Sequence, residues 1–175
     1  NTTAGVTLPA AITSSTKAAT YYVNSETGND GQSGTSPAKA WQTLNRVNAQ
    51  IFSPGDKILF RAGTRYSGQL KPQGSGSLLA SIVIGKYGRG PLPRIDGEGH
   101  VLDTVLLRNV EFCDVNDLEI TNLGEKREPW RTGVRVVTDA FGVMRHIHLH
   151  NLFVHDVNGS LSKSDEGCGI YFESR

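Results

Sequence analysis

Long apolar runs are missing from this sequence, and so is any bias of charge. No stretch approaches the roughly 20 apolar residues that a membrane-spanning helix needs. The 18 basic and 17 acidic residues leave a formal net charge of +1, with neither the basic stripe typical of nucleic-acid binding nor an acidic tail. We therefore expect no membrane span and no nucleic-acid partner.

Cysteine is also scarce. The chain of 175 residues contains only Cys113 and Cys168, which allow one disulfide but do not require it. A chain of this length can bury a stable core without disulfide bonds. The cysteines do not fix the cellular compartment, although the repeat described below favours a buried thiol at Cys113.

The first twenty residues differ from the rest in composition. They are rich in Thr, Ala and Ser, with Lys17 as their one charge. They lack the basic start and apolar run of an intact signal peptide. We interpret residues 1–20 as a flexible leader that remains after processing, and we expect a secreted or periplasmic protein.

Short runs rich in Val, Ile and Thr, together with 20 glycines, predict an all-β protein with many turns. One segment, at about 36–52, predicts a helix instead. A hydroxyl residue and Pro37 stand at its start, and Pro54 and Gly55 follow its end. Its apolar positions recur at helical spacing: Trp41, Leu44, Val47 and Ile51.

A repeat in the second half is the strongest signal. Residues 117–122 align with residues 151–156 at an offset of 34, which also places Cys113 against Ile147. Residues 133–136 align with residues 169–172 at an offset of 36. Two short strands, a tight Asn-containing turn, a third strand and a longer loop therefore recur in the same order.

A repeat built from strands predicts a solenoid whose coils stack by parallel pairing at about 4.8 Å. Because side chains alternate along a strand, the apolar residues face inward. Those of one coil are expected to lie under those of the next coil: Cys113, Val115, Leu118 and Ile120 under Ile147, Leu149, Leu152 and Val154. The helix at 36–52 would plug the open end. Since the chain stops within a strand, we expect residues 21–175 to be the N-terminal part of a longer β-helix domain, or to be completed by a companion segment.

Short motifs carry a resemblance to a known group of proteins. They are Tyr21–Val23, Gly28–Gly31, Gly34–Ala38, Ala40–Leu44, Pro54–Asp56, Ile58–Gly63, Lys71–Gly76, Ile82–Gly88, Ile95–Gly97 and His155–Gly159. Over residues 20–175 this pattern resembles the N-terminal module of bacterial right-handed parallel β-helix enzymes. It is closest to glycoside hydrolase family 141, with α-L-fucosidase and xylanase members, and is more distantly similar to pectate lyases. The resemblance implies that the principal catalytic residues lie on later coils.

Three histidines, His146, His148 and His150, alternate with apolar residues and therefore share the outer face of one strand. The repeat sets Asp114 beside His148 and Asn116 beside His150. A solvated outer wall is the simplest interpretation. We assign His148 and His150 to substrate binding and predict no metal site, since nothing in the sequence completes one.

Charged residues precede and occupy the last strand: Lys163, Asp165, Glu166 and Glu173. A glycosidase needs one protonated carboxyl group and one carboxylate, whereas a lyase needs a base and neutralisation of a uronate. The three acidic residues are the candidate catalytic groups within this chain, and Lys163 is a candidate substrate contact.

Two further features are ambiguous. Asp96, Glu98 and His100 alternate in a Gly-rich segment that is either a turn or a calcium site; calcium is the one cofactor considered. Trp130 belongs to a polar insert and either stacks on a sugar ring or packs against the wall.

The resemblance implies a carbohydrate-active enzyme with a polysaccharide or oligosaccharide substrate. It also implies a glycoside hydrolase, of the α-L-fucosidase-like type or a related glycosidase, rather than a lyase. A polysaccharide lyase and a non-catalytic glycan-binding β-helix are the alternatives.

Overall fold

The computed structural model describes residues 17–140, 142–162 and 167–174. The described part is mostly β-structure. Its strands are β1 (Thr20–Val23), β2 (Lys57–Arg61), β3 (Arg65–Ser67), β4 (Ile82–Tyr87), β5 (Arg94–Asp96), β6 (Asp103–Arg108), β7 (Cys113–Asn116), β8 (Glu119–Asn122), β9 (Thr132–Thr138), β10 (Ile147–His150), β11 (Phe153–Val157) and β12 (Cys168–Ser174). The one α-helix of the described residues, α1, spans Leu44–Asn48.

The strands form three sheets with parallel pairing throughout. The first sheet has the order β1-β2-β4-β7-β10, the second β11-β8-β5-β3, and the third β12-β9-β6. From β4 onward the chain visits the three sheets in turn, so that β4, β5 and β6 are followed by β7, β8 and β9 and then by β10, β11 and β12 in the same sheets. We call each such passage a circuit.

The register confirms the repeat predicted from the sequence. Strand β10 pairs with β7 so that Ile147 lies beside Cys113, and β12 pairs with β9 so that Ile170 lies beside Val134. These are the predicted offsets of 34 and 36. In the second sheet the offset of 34 holds until a register shift between Val154 and Val157.

The tight turns of the repeat depend on residues with left-handed backbone. Asp117 and Asn151 both have positive φ, at 53° and 48°. They occupy equivalent corners of successive circuits, and the Asn151 amide donates a hydrogen bond to the Asp117 carboxylate. Asn and Asp tolerate this conformation better than other non-glycine residues, which explains why they recur at this corner.

The core lies between the three sheets, as the alternation of side chains predicts. Cys113, Val115, Leu118 and Ile120 are all buried. Their partners in the next circuit are partly buried and pack against the same cluster: Ile147, Leu149, Leu152 and Val154. Cys113 carries a free thiol and is buried, as predicted.

The predicted helix at 36–52 is much shorter than expected. A 3-10 turn spans Pro37–Lys39, and α1 is a single five-residue helix capped by the Thr43 hydroxyl. Trp41 forms a β-bridge with Val23 between the two, and Ile51 is 69% exposed. Burial of Trp41 against the first strand therefore overrides the helical spacing of the apolar residues.

The leader predicted at 1–20 lies largely outside the described residues. At its end, β1 begins at Thr20, and the Ala19 amide donates to the Asp56 carboxylate. No helix among the described residues is both long and apolar enough to cross a bilayer.

Candidate functional site

The outer face of the third sheet carries a row of functional side chains. Leu106, Arg135 and Tyr171 lie side by side in the register of β6, β9 and β12, and all three are half-buried. Their neighbours along β9, Val134 and Val136, are buried in the core. The alternation that fills the core therefore turns Arg135 and Tyr171 outward.

The insert before β9 holds Trp130 beside this row. Arg131 is buried and donates to the carbonyl oxygens of Lys126 (2.7 Å) and Gly99 (3.0 Å) and to the Asn158 side chain. These bonds fix the insert to two neighbouring segments. Trp130 itself has a positive φ of 61° and remains 44% exposed.

Two adjoining cavities extend along this face. One has a volume of about 270 Å³ and the other about 300 Å³, and both are walled by Leu102 and Arg135. We call the combined depression the outer groove. Its lining residues are Leu102, Asp103, Leu106, Arg108, Trp130, Arg135, Val137, Asp139, Tyr171 and Glu173.

Arg135 links the two carboxyl groups at the centre of the outer groove. Its Nη2 donates to Oε2 of Glu173 at 2.6 Å, and its Nη1 lies 3.8 Å from Oδ1 of Asp103. The guanidinium carbon is 5.7 Å from the ring centroid of Tyr171. Its Nε is buried and has no hydrogen-bond partner among the described residues, so the two Nη atoms are the ones that contact the carboxyl groups of the groove.

Asp103 has an altered acidity. Burial raises the pKa of this carboxyl group, and the nearby charge of Glu173 acts in the same direction. The hydrogen bond from the Thr132 hydroxyl (2.7 Å) and the charge of Arg135 act in the opposite direction without cancelling the rise. Asp103 therefore holds its proton more firmly than an ordinary aspartate, while Glu173 is paired with a cation.

The arrangement suits a polyhydroxylated ligand. Trp130 and Tyr171 present aromatic surface in one cavity, which can cover the apolar face of a sugar ring. Carboxylates and a guanidinium group supply acceptors and donors for hydroxyl groups. Two carboxyl groups in unlike environments are also the residue types that glycoside hydrolysis uses.

The structure brings together only part of the site predicted from the sequence. Trp130 and Glu173 line one cavity of the outer groove. His148 and His150 lie on β10 in the first sheet, a different face of the molecule. The remaining predicted site residues, Lys163, Asp165 and Glu166, lie outside the described residues.

The candidate calcium ligands occur in a turn. His100 N donates to the carbonyl oxygen of Gly97. Arg65 Nη2 lies 2.9 Å from Asp96 and 2.8 Å from Glu98, so one guanidinium group pairs with both carboxylates. The prediction that His146 lies on one strand with His148 and His150 is wrong: β10 begins at Ile147, and His146 has a positive φ and stacks on Phe112 at a centroid distance of 4.8 Å.

Sequence reasoning missed three residues of the outer groove: Asp103, Arg135 and Tyr171. The offset of 36 does align Arg135 with Tyr171, and their shared outward position was a usable signal. Asp103 gave no such signal, because it bonds Thr132, 29 positions later, at a spacing that matches neither repeat offset.

A larger cavity, of about 410 Å³, lies near the start of the chain and is lined partly by Thr43, Arg65 and Tyr66. These side chains have structural partners: Thr43 caps α1, Arg65 pairs with acids, and the Tyr66 hydroxyl donates to the Val23 carbonyl oxygen. Burial raises the pKa of Tyr66 to about 12. We therefore place the candidate site in the outer groove despite its smaller volume.

Comparison with curated proteins finds relatives among glycosidases. The chain is 28% identical to a lacto-N-biosidase of Bifidobacterium longum subsp. longum over 213 aligned positions, which cover 91% of this chain and 13% of that protein. It is 31% identical to alpha-1,3-galactosidase A of Akkermansia muciniphila over 64 residues, which cover 37% of this chain and 11% of the relative. No family model matches.

Solved structures give a concordant result. The GH136 lacto-N-biosidase of Eubacterium ramulus superimposes with a TM-score of 0.77 and 30% identity, over 88% of this chain and 30% of that chain. Its native form gives the same TM-score and identity. The chain therefore spans less than a third of the length of these relatives. The similarities support a carbohydrate-active enzyme, but they do not support family 141 or a fucosidase or xylanase type.

Proposed function

We propose that this chain is part of a glycoside hydrolase that acts on complex glycans, with the specificity of a lacto-N-biosidase. The observation that carries this proposal is the likeness to the GH136 lacto-N-biosidase, at 30% identity and a TM-score of 0.77 over 88% of this chain. Fold alone does not give function, but the likeness extends to sequence. The smaller match to an alpha-1,3-galactosidase also favours a glycosidase.

The three sheets are, in our proposal, the first coils of a right-handed parallel β-helix. From β4 onward the chain visits the sheets in a fixed order, and β10, β11 and β12 each stand at one edge of their sheet. Apolar side chains of this last circuit remain exposed, among them Ile170 and Phe172. Further coils of an exported protein would pair with these strands and cover these side chains, in keeping with the greater length of the relatives.

We assign substrate contact to the outer groove. Trp130 and Tyr171 supply a surface for a sugar ring, and Arg135, Glu173 and Asp103 supply hydrogen bonds to its hydroxyl groups. Loops and outer faces on a rigid scaffold commonly carry such recognition. Glu173 remains our predicted catalytic group within the described residues, because it lines the outer groove and its carboxylate is held by Arg135 at 2.6 Å.

A substrate panel with the full-length protein tests the proposal. Chromogenic glycosides of lacto-N-biose, α-1,3-linked galactose and α-L-fucose are compared with pectate, whose cleavage by a lyase gives an ultraviolet-absorbing unsaturated product. We expect the lacto-N-bioside to be hydrolysed with the highest kcat/KM. The same assay after chelation, with calcium restored, tests the calcium expectation at Asp96, Glu98 and His100.

Any other result of the substrate panel contradicts the proposed lacto-N-biosidase specificity. An unsaturated product from pectate would establish a lyase. Preferred hydrolysis of the galactoside or the fucoside would replace the proposed specificity. Saturable glycan binding without any turnover would establish a non-catalytic binding protein.

A further inference from the structure

We propose that Asp114, His148 and His150 form a binding site for a divalent transition-metal ion of the zinc class on the outer face of the first sheet. This site is separate from the outer groove, which lies on the third sheet. It extends the function proposed above and does not depend on it.

The donor atoms of the three side chains converge. Nδ1 of His148 lies 3.1 Å from Oδ2 of Asp114, and Nε2 of His150 lies 3.0 Å from Oδ1 of the same carboxylate. One donor atom from each residue lies within 4.8 Å of the other two. Zinc bonds of about 2.0–2.2 Å in tetrahedral geometry separate neighbouring ligands by about 3.4 Å, so small side-chain adjustments would admit an ion.

Parallel pairing of two strands creates this convergence. Strand β10 lies beside β7 with His148 opposite Asp114 and His150 opposite Asn116. The two imidazole rings stack with their centroids 4.4 Å apart. Because residues two apart share one face of a strand, both rings reach toward the same carboxylate, and the backbone of two neighbouring circuits fixes their spacing.

A neighbouring amide group orients the carboxylate of Asp114. Asn116 Nδ2 donates to Oδ1 of Asp114 at 2.6 Å. A Cβ atom at Gly85 would lie only 2.7 Å from Oδ1 of Asn116, so a glycine there leaves room for this amide. Asn116 therefore holds the carboxylate in the orientation in which Oδ1 and Oδ2 face the two imidazole nitrogens.

The chemistry of the donors selects the ion. Imidazole nitrogens suit zinc, copper and nickel, whereas calcium takes six to eight oxygen ligands. The side chains of His148 and His150 are 67% and 46% exposed, so solvent can occupy the remaining coordination position. Three protein ligands with an open position are typical of exchangeable or catalytic zinc sites.

A nearby histidine provides a matched control. His155 on β11 also contacts two carboxylates, but Glu119 lies at its Nε2 and Asp156 at its Nδ1, each at 3.0 Å. The two carboxylates stand on opposite sides of the ring, so no single ion can contact all three residues. His155 shares residue type and carboxylate contacts with the proposed ligands, without their convergence.

Calorimetric titration of the untagged, chelator-treated full-length protein with zinc chloride tests the proposal. Each of three ligand variants, His148→Ala, His150→Ala and Asp114→Asn, is compared with the control variant His155→Ala. Loss of a residue that only hydrogen-bonds to a metal ligand costs roughly 10- to 100-fold in metal affinity. Loss of a histidine ligand itself should therefore raise the Kd by about 100-fold. Since distant sites act independently, His155→Ala should leave the Kd within about twofold.

Thermal melting supplies a second readout that needs no enzymatic activity. A ligand that binds only the folded state raises Tm, so zinc should raise the Tm of the wild type and of His155→Ala but not of His148→Ala. The proposal is overturned if the protein binds no zinc, if the three ligand variants bind it as tightly as the wild type, or if His155→Ala loses binding to the same extent. It is also overturned if the site takes calcium in preference to zinc.

Discussion

The guanidinium group of Arg135 lies 2.6 Å from the carboxylate of Glu173, across the boundary between two circuits of the chain. Both side chains are about 85% buried, with exposures of 15% and 17%. Arg135 also lies 3.8 Å from Asp103 in the preceding strand of the sheet. The cation on β9 therefore contacts carboxyl groups on the two strands that flank it, Asp103 on β6 and Glu173 on β12.

Replacement of Arg135 by Met should destabilise the protein. Removing one member of a largely buried ion pair takes a counter-charge away from its partner, which costs about 3–5 kcal/mol. We expect a loss of that size in the free energy of unfolding, measured by urea denaturation. Arg108→Met is the matched control: its partner is Asp139, but the Arg108 side chain is 51% exposed, and surface pairs contribute about 1 kcal/mol or less. Equal losses for the two variants would contradict this account.

The raised pKa of Asp103 predicts a pH-dependent effect of Asp103→Asn. A carboxyl group whose folded pKa lies above its unfolded value, about 3.9, contributes stability at lower pH and loses it as the pH rises through the folded pKa. Asn keeps an acceptor for Thr132 but never ionises. The variant should therefore match the wild type near pH 4 and gain relative stability toward pH 7, as measured by urea denaturation at both values. A relative loss toward pH 7 would show that the fold favours the ionised form.

The sequence was sufficient to predict the stacking of the second half. The period of two determines whether a side chain points inward or outward, and the repeat offsets of 34 and 36 determine its partner in the next circuit. Cys113 beside Ile147 is an example. The sequence-based prediction failed at the helix of 36–52, since apolar spacing alone cannot reveal that Trp41 bridges Val23. The prediction of site residues also missed Asp103, because the groove depends on how β6, β9 and β12 align, and loops of unequal length set that alignment.

The side chain of Asn122 should prove critical for the corner beneath the groove. It is fully buried and donates to the carbonyl oxygens of Val101, Leu102 and Thr132. Unsatisfied buried acceptors cost about 1–3 kcal/mol each, so Asn122→Ala should lower the free energy of unfolding by about 2–4 kcal/mol. Exposed Asn45 on α1 provides the control, and Asn45→Ala should be near neutral. A neutral Asn122→Ala would mean that water replaces the amide.

The two thiols should differ in reactivity. Burial raises the pKa of Cys113 to about 12, and the thiolate is the reactive species, whereas Cys168 is only half-buried. We expect iodoacetamide to label Cys168 first in the folded protein, with Cys113 protected until denaturant is added, as followed by peptide mass spectrometry. Cys168→Ser should abolish the rapid labelling. Rapid labelling of Cys113 in the native state would place it outside the core.

The most direct test of the central claim, that the outer groove binds the glycan of a glycoside hydrolase, is the KM of the full-length protein for a chromogenic lacto-N-bioside. Loss of a stacking platform worth about 1.4 kcal/mol raises KM about tenfold, so Trp130→Ala should show that rise with kcat nearly unchanged. Trp130→Phe should retain most of the affinity, and so should Phe153→Ala, which removes an exposed aromatic ring from the second sheet. A KM for Trp130→Ala equal to that of the wild type would contradict the account and place the substrate elsewhere.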